Sequence, residues 1–171
     1  MRFSMDRTIW ERIFPPKPLS CNRNTWKRIL LELRARSLGT RESGGFLLGR
    51  REGGCRIILD LLPYDAVDPD SLRGAIVFDG SYMDVVWDEC RRRELQVVAD
   101  VHTHPGGYGQ SAIDQQHPMI PQRGHIGLIV PNFADRLYLP GQVGIYEYLG
   151  RGRWENHSAR GSEYFAVRRF G

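Results

Sequence analysis

From Asn24 onward the apolar positions fall at helical spacing. Trp26, Ile29, Leu30 and Leu33 occupy i, i+3, i+4 and i+7, which makes one stripe of a helix apolar. Asn24 reads as its N-cap and Gly39 as its stop. The pattern then changes to short runs. Glu42 to Arg50 is an apolar run edged by glycine, Cys55 to Leu62 is another, and Gly53-Gly54 lies between them. The two predict a hairpin whose first strand begins near Glu42. Pro63 to Gly74 is polar and turn-rich, a loop long enough to suggest a binding role.

Ser81-x-x-Asp84 has the form of a capping box. Met83, Val86, Trp87 and Cys90 behind it give the apolar face of a second helix, with Arg91, Arg92 and Arg93 in its last turn, where cations complement the dipole. Leu95 to Val101 and His125 to Val130 read as buried strands. A glycine-rich loop, Pro105 to Gln110, leads into a short helix from Ser111 to about Gln116. Asn132 to Gln142 is a second polar loop. Val143 to Leu149 and Arg153 to His157 predict a hairpin around Gly150. At the ends, Pro15, Pro16 and Pro18 bar a helix and leave one edge strand around Ile9 to Phe14, while Tyr164 to Gly171 reads as a last strand or a free end. Strands and helices alternate between terminal hairpins. The expectation is an α/β fold in the α+β sense: one domain across residues 1–171, a mixed sheet with helices packed on it.

Composition narrows the function classes. Apolar residues make up 41% and charged residues 26% of the 171, an ordinary globular balance. No apolar run is long enough to span a bilayer, and the opening residues, Met1 to Arg7, lack the core of a secretion signal. The expected location is cytoplasmic, with no membrane partner. Cys21, Cys55 and Cys90 are odd in number and show no C-x-x-C spacing, which argues against a disulfide framework and a thiolate metal site. Net charge is +4, carried largely by arginines scattered over separate elements without interleaved aromatics. That reads as solvated surface, or a face for an acidic protein partner, and nucleic acid is not the expected partner.

The chemistry concentrates in His102-Thr103-His104-Pro105 and Ser111-Ala112-Ile113-Asp114. Two imidazoles two residues apart on an extended backbone project to one side. A carboxylate follows ten residues after the second. Three N/O ligands suit zinc and leave its fourth position open, the arrangement of a catalytic ion. His117 and His125 lie near enough in sequence to compete, but His117 reads as a helix-end or surface group and His125 as a satisfied core or supporting residue. Read alone, Glu42 is a strand-edge charge.

Glu42-x-x-Gly45-x-Leu47-Leu48-Gly49, His102-x-His104-Pro105 and Ser111-x-x-Asp114 together resemble the JAMM (MPN-plus) zinc isopeptidases, in family order over roughly residues 24 to 150. The resemblance implies zinc on His102, His104 and Asp114, one ion per chain. It implies that Glu42 shuttles the proton of the attacking water and that Ser111 hydrogen-bonds the water or the oxyanion. The loop from Pro105 to Gln110 is one residue shorter than the family's usual one. The short loops, arginine content and length resemble prokaryotic members, which implies a peptidase that matures or deconjugates a bacterial ubiquitin-like protein at its C-terminal Gly, with operon-encoded E1-like and E2-like enzymes as partners, some such operons acting in antiphage defence. The alternatives are trimming of a ubiquitin-fold sulfur-carrier protein, a non-catalytic scaffold, and a DNA-repair-associated relative.

Overall fold

The computed structural model describes residues 17–73 and 76–169. The edge strand anticipated around Ile9 to Phe14 lies outside them. Eight strands form one mixed sheet: β1 (Leu19–Asn22), β2 (Gly44–Glu52), β3 (Cys55–Pro63), β4 (Gln96–Thr103), β5 (Ile126–Val130), β6 (Gly144–Gly150), β7 (Arg153–Asn156) and β8 (Phe165–Arg168). Their spatial order is β7-β6-β5-β4-β2-β3-β1-β8. The two hairpins are antiparallel, β4 pairs with β2 antiparallel and with β5 parallel, and β1 runs parallel to both β3 and β8. The tail beyond Tyr164 is therefore a strand through Arg168.

Helix α1 (Arg23–Ser37) covers one face with Trp26, Ile29, Leu30 and Leu33 all buried. They pack on Leu47, Leu61, Val101, Leu128 and Phe165, and the Trp26 indole N–H donates to the Tyr138 carbonyl at 2.7 Å. The N-cap is Asn22, not Asn24: the Asn22 side chain accepts from the Asn24 N–H at 2.8 Å. Strand β1 ends at Asn22, so the extended residue required before the first turn is already there. Leu38 takes the left-handed cap conformation, with Gly39 next at positive φ.

The other face carries α2 (Tyr64–Val67), α3 (Met83–Arg93) and α4 (Ala112–Gln116). Phe46, Leu48, Leu62, Tyr64, Val67, Leu72, Ile76 and Val86 form its apolar cluster. The segment after Pro63 was expected to be an open loop. Instead Tyr64, Val67 and Leu72 are buried, because they lie over the apolar side of β2 and β3. The start of α3 also differs. Asp79 accepts from Ser81 N–H and caps a 3-10 turn, Gly80–Tyr82, that precedes the helix, so Ser81 caps nothing. Trp87, placed on the core face by its spacing, is 37% exposed. Val86 and Cys90 alone of that helix are buried. Among the described residues no helix is long and apolar enough to cross a membrane.

Candidate metal centre

Strand β4 alternates. Ala99 and Val101 enter the α1-side core, whereas Asp100 and His102 face the opposite side. His104, just beyond the strand, continues that second set. Helix α4 is brought over the strand end so that Asp114 meets both imidazoles. The His102 and His104 Nε2 atoms lie 3.1 Å apart, and Asp114 oxygens approach them at 3.3 and 3.2 Å respectively. The three ligand atoms fall within 4.8 Å of one another. A tetrahedral ion with bonds of about 2.1 Å separates its ligand atoms by roughly 3.4 Å, so the trio fits a zinc ion without rebuilding.

The side chains are held from behind. Ser111 N–H donates to Asp114 Oδ2 at 2.6 Å and Asp114 N–H donates to Ser111 Oγ at 3.2 Å, a reciprocal capping box. This local motif turns the first residues of a five-residue helix into a rigid holder for the carboxylate. On the strand side, Gly44 is the ladder partner of His102, and Thr103 N–H donates to the Ser43 carbonyl at 2.8 Å. Ser43 N–H in turn donates to Thr103 Oγ1 at 2.9 Å. Those bonds place Glu42 at the mouth of the site, its Oε1 4.0 Å from His104 Nε2.

The turn that carries His104 is braced by the second polar loop. Phe133 N–H donates to the His104 carbonyl at 2.9 Å and Asn132 N–H to the Gly106 carbonyl at 3.0 Å. Asn132, Phe133 and Ala134 all have φ near +50 to +57°, a left-handed run that costs free energy at non-glycine residues and that these bonds help maintain.

The electrostatics couple the trio. Burial opposes the charged form of Asp114, but hydrogen bonds from His102 and His104 outweigh it and hold the carboxyl well below the usual carboxylate range. Burial pushes the His102 imidazole down, while the carboxylates of Asp114, Asp100 and Glu42 outweigh burial and raise it. These are the responses of a cluster of negative charge and imidazole drawn around a point suited to a cation.

All five residues singled out in the sequence, Glu42, His102, His104, Ser111 and Asp114, therefore lie at one end of β4. His117 is exposed at the end of α4, on the rim of the pocket over the trio. His125 is a core residue: its Nε2 lies 2.5 Å from Asp100 Oδ1, and the buried Tyr64 hydroxyl donates to Asp100 Oδ2 at 2.9 Å. This Asp100 network was missed. Its signal was a lone carboxylate inside the apolar run, in phase with His102.

No family model matches the sequence. The fold is shared with solved structures. The solution structure of a protein from Desulfitobacterium hafniense superposes with a TM-score of 0.64 at 16% identity, covering 88% of this chain and 92% of that one. A second, from Salinibacter ruber, gives 0.53 at 17% identity, covering 81% of this chain and 88% of that one. At such identities the shared property is the fold.

Proposed function

We propose that the chain is a zinc-dependent peptidase or isopeptidase of the JAMM kind, acting in the cytoplasm on the C-terminal Gly of a ubiquitin-like protein, to mature it or release it from conjugates. The observation that carries the reading is the convergence of His102, His104 and Asp114 with a non-ligand carboxylate, Glu42, 4.0 Å from His104 Nε2. A purely structural zinc site has no use for that non-ligand carboxylate and would take a fourth protein ligand instead.

Bound zinc supplies polarisation of a carbonyl and acidification of water. Glu42 is placed to take a proton from the attacking water and to return it to the leaving amine. The oxygen of Ser111 is an acceptor in the cap, so its hydroxyl hydrogen is left to donate towards a developing oxyanion. His104 and Asp114 are held by backbone bonds and a capping box, which limits reorganisation during the reaction.

Access also supports an extended peptide as substrate. A groove of about 670 Å³ runs between Ile76, Val77 and Phe78 on one side and Ile113, His117 and Pro118 on the other. Val77 and Ile113 are 68% and 48% exposed. The groove shares His117, Pro118 and Met119 with the pocket lined by His102 and Asp114, so a chain lying in it runs towards the metal centre. An extended tail can bind such a surface largely through its main chain, which favours small residues near the scissile bond.

The test is incubation of the zinc-loaded protein with a ubiquitin-like protein carrying a C-terminal extension, followed by intact mass measurement. The expected product ends at the terminal Gly, and changing that Gly to Leu strongly reduces cleavage. Equal cleavage of both substrates, or cutting within an unrelated unfolded protein, would replace this reading with a general peptidase.

A further inference from the structure

At the other end of β4 lies a second cleft. Its volume is about 480 Å³, within the range usual for small-molecule sites. Arg51, Arg56 and Arg123 line it, with Gln96, Gln122 and Trp87, and none of its lining residues is an Asp or Glu. Gln96 opens β4 and His102 lies near its close, six residues further along an extended strand, so cleft and metal centre are roughly 20 Å apart.

Three features of the cleft are unexplained by folding alone. Arg51 and Arg56 are direct cross-strand partners on the β2–β3 hairpin, and like charges so placed are destabilising. Neither they nor Arg123 form an ion pair with any described residue, although nine lysine or arginine ion pairs form elsewhere among the described residues. Trp87 stands exposed on the wall, where an apolar helix face was expected.

The arginines are also pre-positioned. Arg56 donates to the Gly124 carbonyl at 2.7 Å, and Arg51 Nε donates to Gln96 Oε1 at 3.2 Å. Burial, and then the charge of Arg51, pull the Arg56 guanidinium below its usual range, outweighing Tyr164 and Glu147, which act the other way and are themselves joined by a hydrogen bond from the Tyr164 hydroxyl to Glu147 Oε2. An anion in the cleft would relieve the Arg51–Arg56 repulsion at a geometry already set.

We propose that this cleft binds a phosphate ester of nucleotide size, its phosphates on Arg51, Arg56 and Arg123 and its planar group against Trp87. Planar forks of guanidinium suit phosphate oxygens, and an indole face suits a base. A cavity of small-molecule size with an aromatic wall favours this ligand over an acidic peptide, which would need an open surface. The inference is independent of the metal centre.

The experiment is calorimetric titration of the full-length chain with ADP and, separately, with inorganic pyrophosphate, at low and at physiological salt. ADP is expected to bind, with affinity falling as salt rises. The exposed double variant Arg51→Gln, Arg123→Gln should weaken both probes at least tenfold, with thermal stability maintained or raised because the cross-strand repulsion is gone. Trp87→Leu should weaken ADP and leave pyrophosphate unchanged. No binding of either probe at millimolar concentration, or binding unaltered in the double variant, would overturn the proposal. So would binding of a polyglutamate peptide in place of both probes, which would make the cleft a contact for an acidic protein.

Discussion

Gly44 stands opposite His102 across the β2–β4 ladder, and a Cβ on Gly44 would lie 2.9 Å from the His102 Cβ, 2.7 Å from the Val101 carbonyl oxygen and 2.5 Å from a Tyr64 ring carbon. None of those neighbours is the loose end of a flexible chain. Gly44→Ala must therefore move the strand or the ligand, at a cost of about 1–3 kcal/mol for overpacking. Zinc affinity should fall with stability. Elemental analysis and thermal melting of the variant check both, and native melting with full zinc would show that this contact does not position His102.

Zinc content tests the ligand trio directly. Purified protein should hold one zinc per chain, and the His102→Ala, His104→Ala double variant should hold none. Stoichiometric zinc in the double variant would move the metal to other residues.

Glu42 should separate chemistry from metal binding. Glu42→Gln keeps size and hydrogen bonding while removing the base, so zinc and melting temperature should persist while hydrolysis falls by about 10²–10⁴-fold. Ser111→Ala is expected to act differently. It removes the cap acceptor of α4 and should cost about 1 kcal/mol in stability, besides slowing turnover, because Asp114 loses part of its support. Turnover of Glu42→Gln near the parent rate would remove Glu42 from the mechanism.

The benefit of zinc should depend on pH in a defined direction. In the metal-free protein the raised His102 contributes stability that is present below about pH 6.5 and lost as pH rises through its folded value. The depressed Asp114 contributes stability that is present above about pH 4 and lost only as the pH falls towards its lowered value. Zinc requires His102 unprotonated, so it displaces that proton. The melting-temperature difference between zinc-loaded and chelator-treated protein should widen from pH 5.5 to pH 8. A constant difference would mean that His102 is not a ligand.

The cysteines offer an independent check on the core. Burial pushes the Cys21 thiol up to about 12, opposed only weakly by Arg28. Its thiolate fraction near neutral pH is then roughly a thousandfold below that of an ordinary thiol. Cys21 should react with a disulfide reagent only on unfolding. Its contribution to stability should be intact below about pH 9 and fade as pH rises towards 12.

What could be read directly from the chain was whatever short-range pattern controls. The apolar stripe of α1, both hairpins, the strand ending in His102 and the short helix opening at Ser111 all follow from periodicity, glycine pairs and a capping sequence within a few residues. The candidate ligands were legible for the same reason, since two imidazoles on one strand and a carboxylate within a capping box are local facts. Tertiary structure decided the rest. Whether Asn22 or Asn24 caps α1 depends on where β1 ends, and β1 exists only because β3 and β8 flank it. Tyr64 and Leu72 look like loop residues until β2 and β3 offer them a face to cover. The bracing of His104 by Phe133, the burial of Asp100 between His125 and Tyr64, and the facing of Arg51 and Arg56 all join residues whose meeting depends on strand order and register. Spacing along the chain carries no information about those partners, because each contact is selected by the packing of the whole sheet.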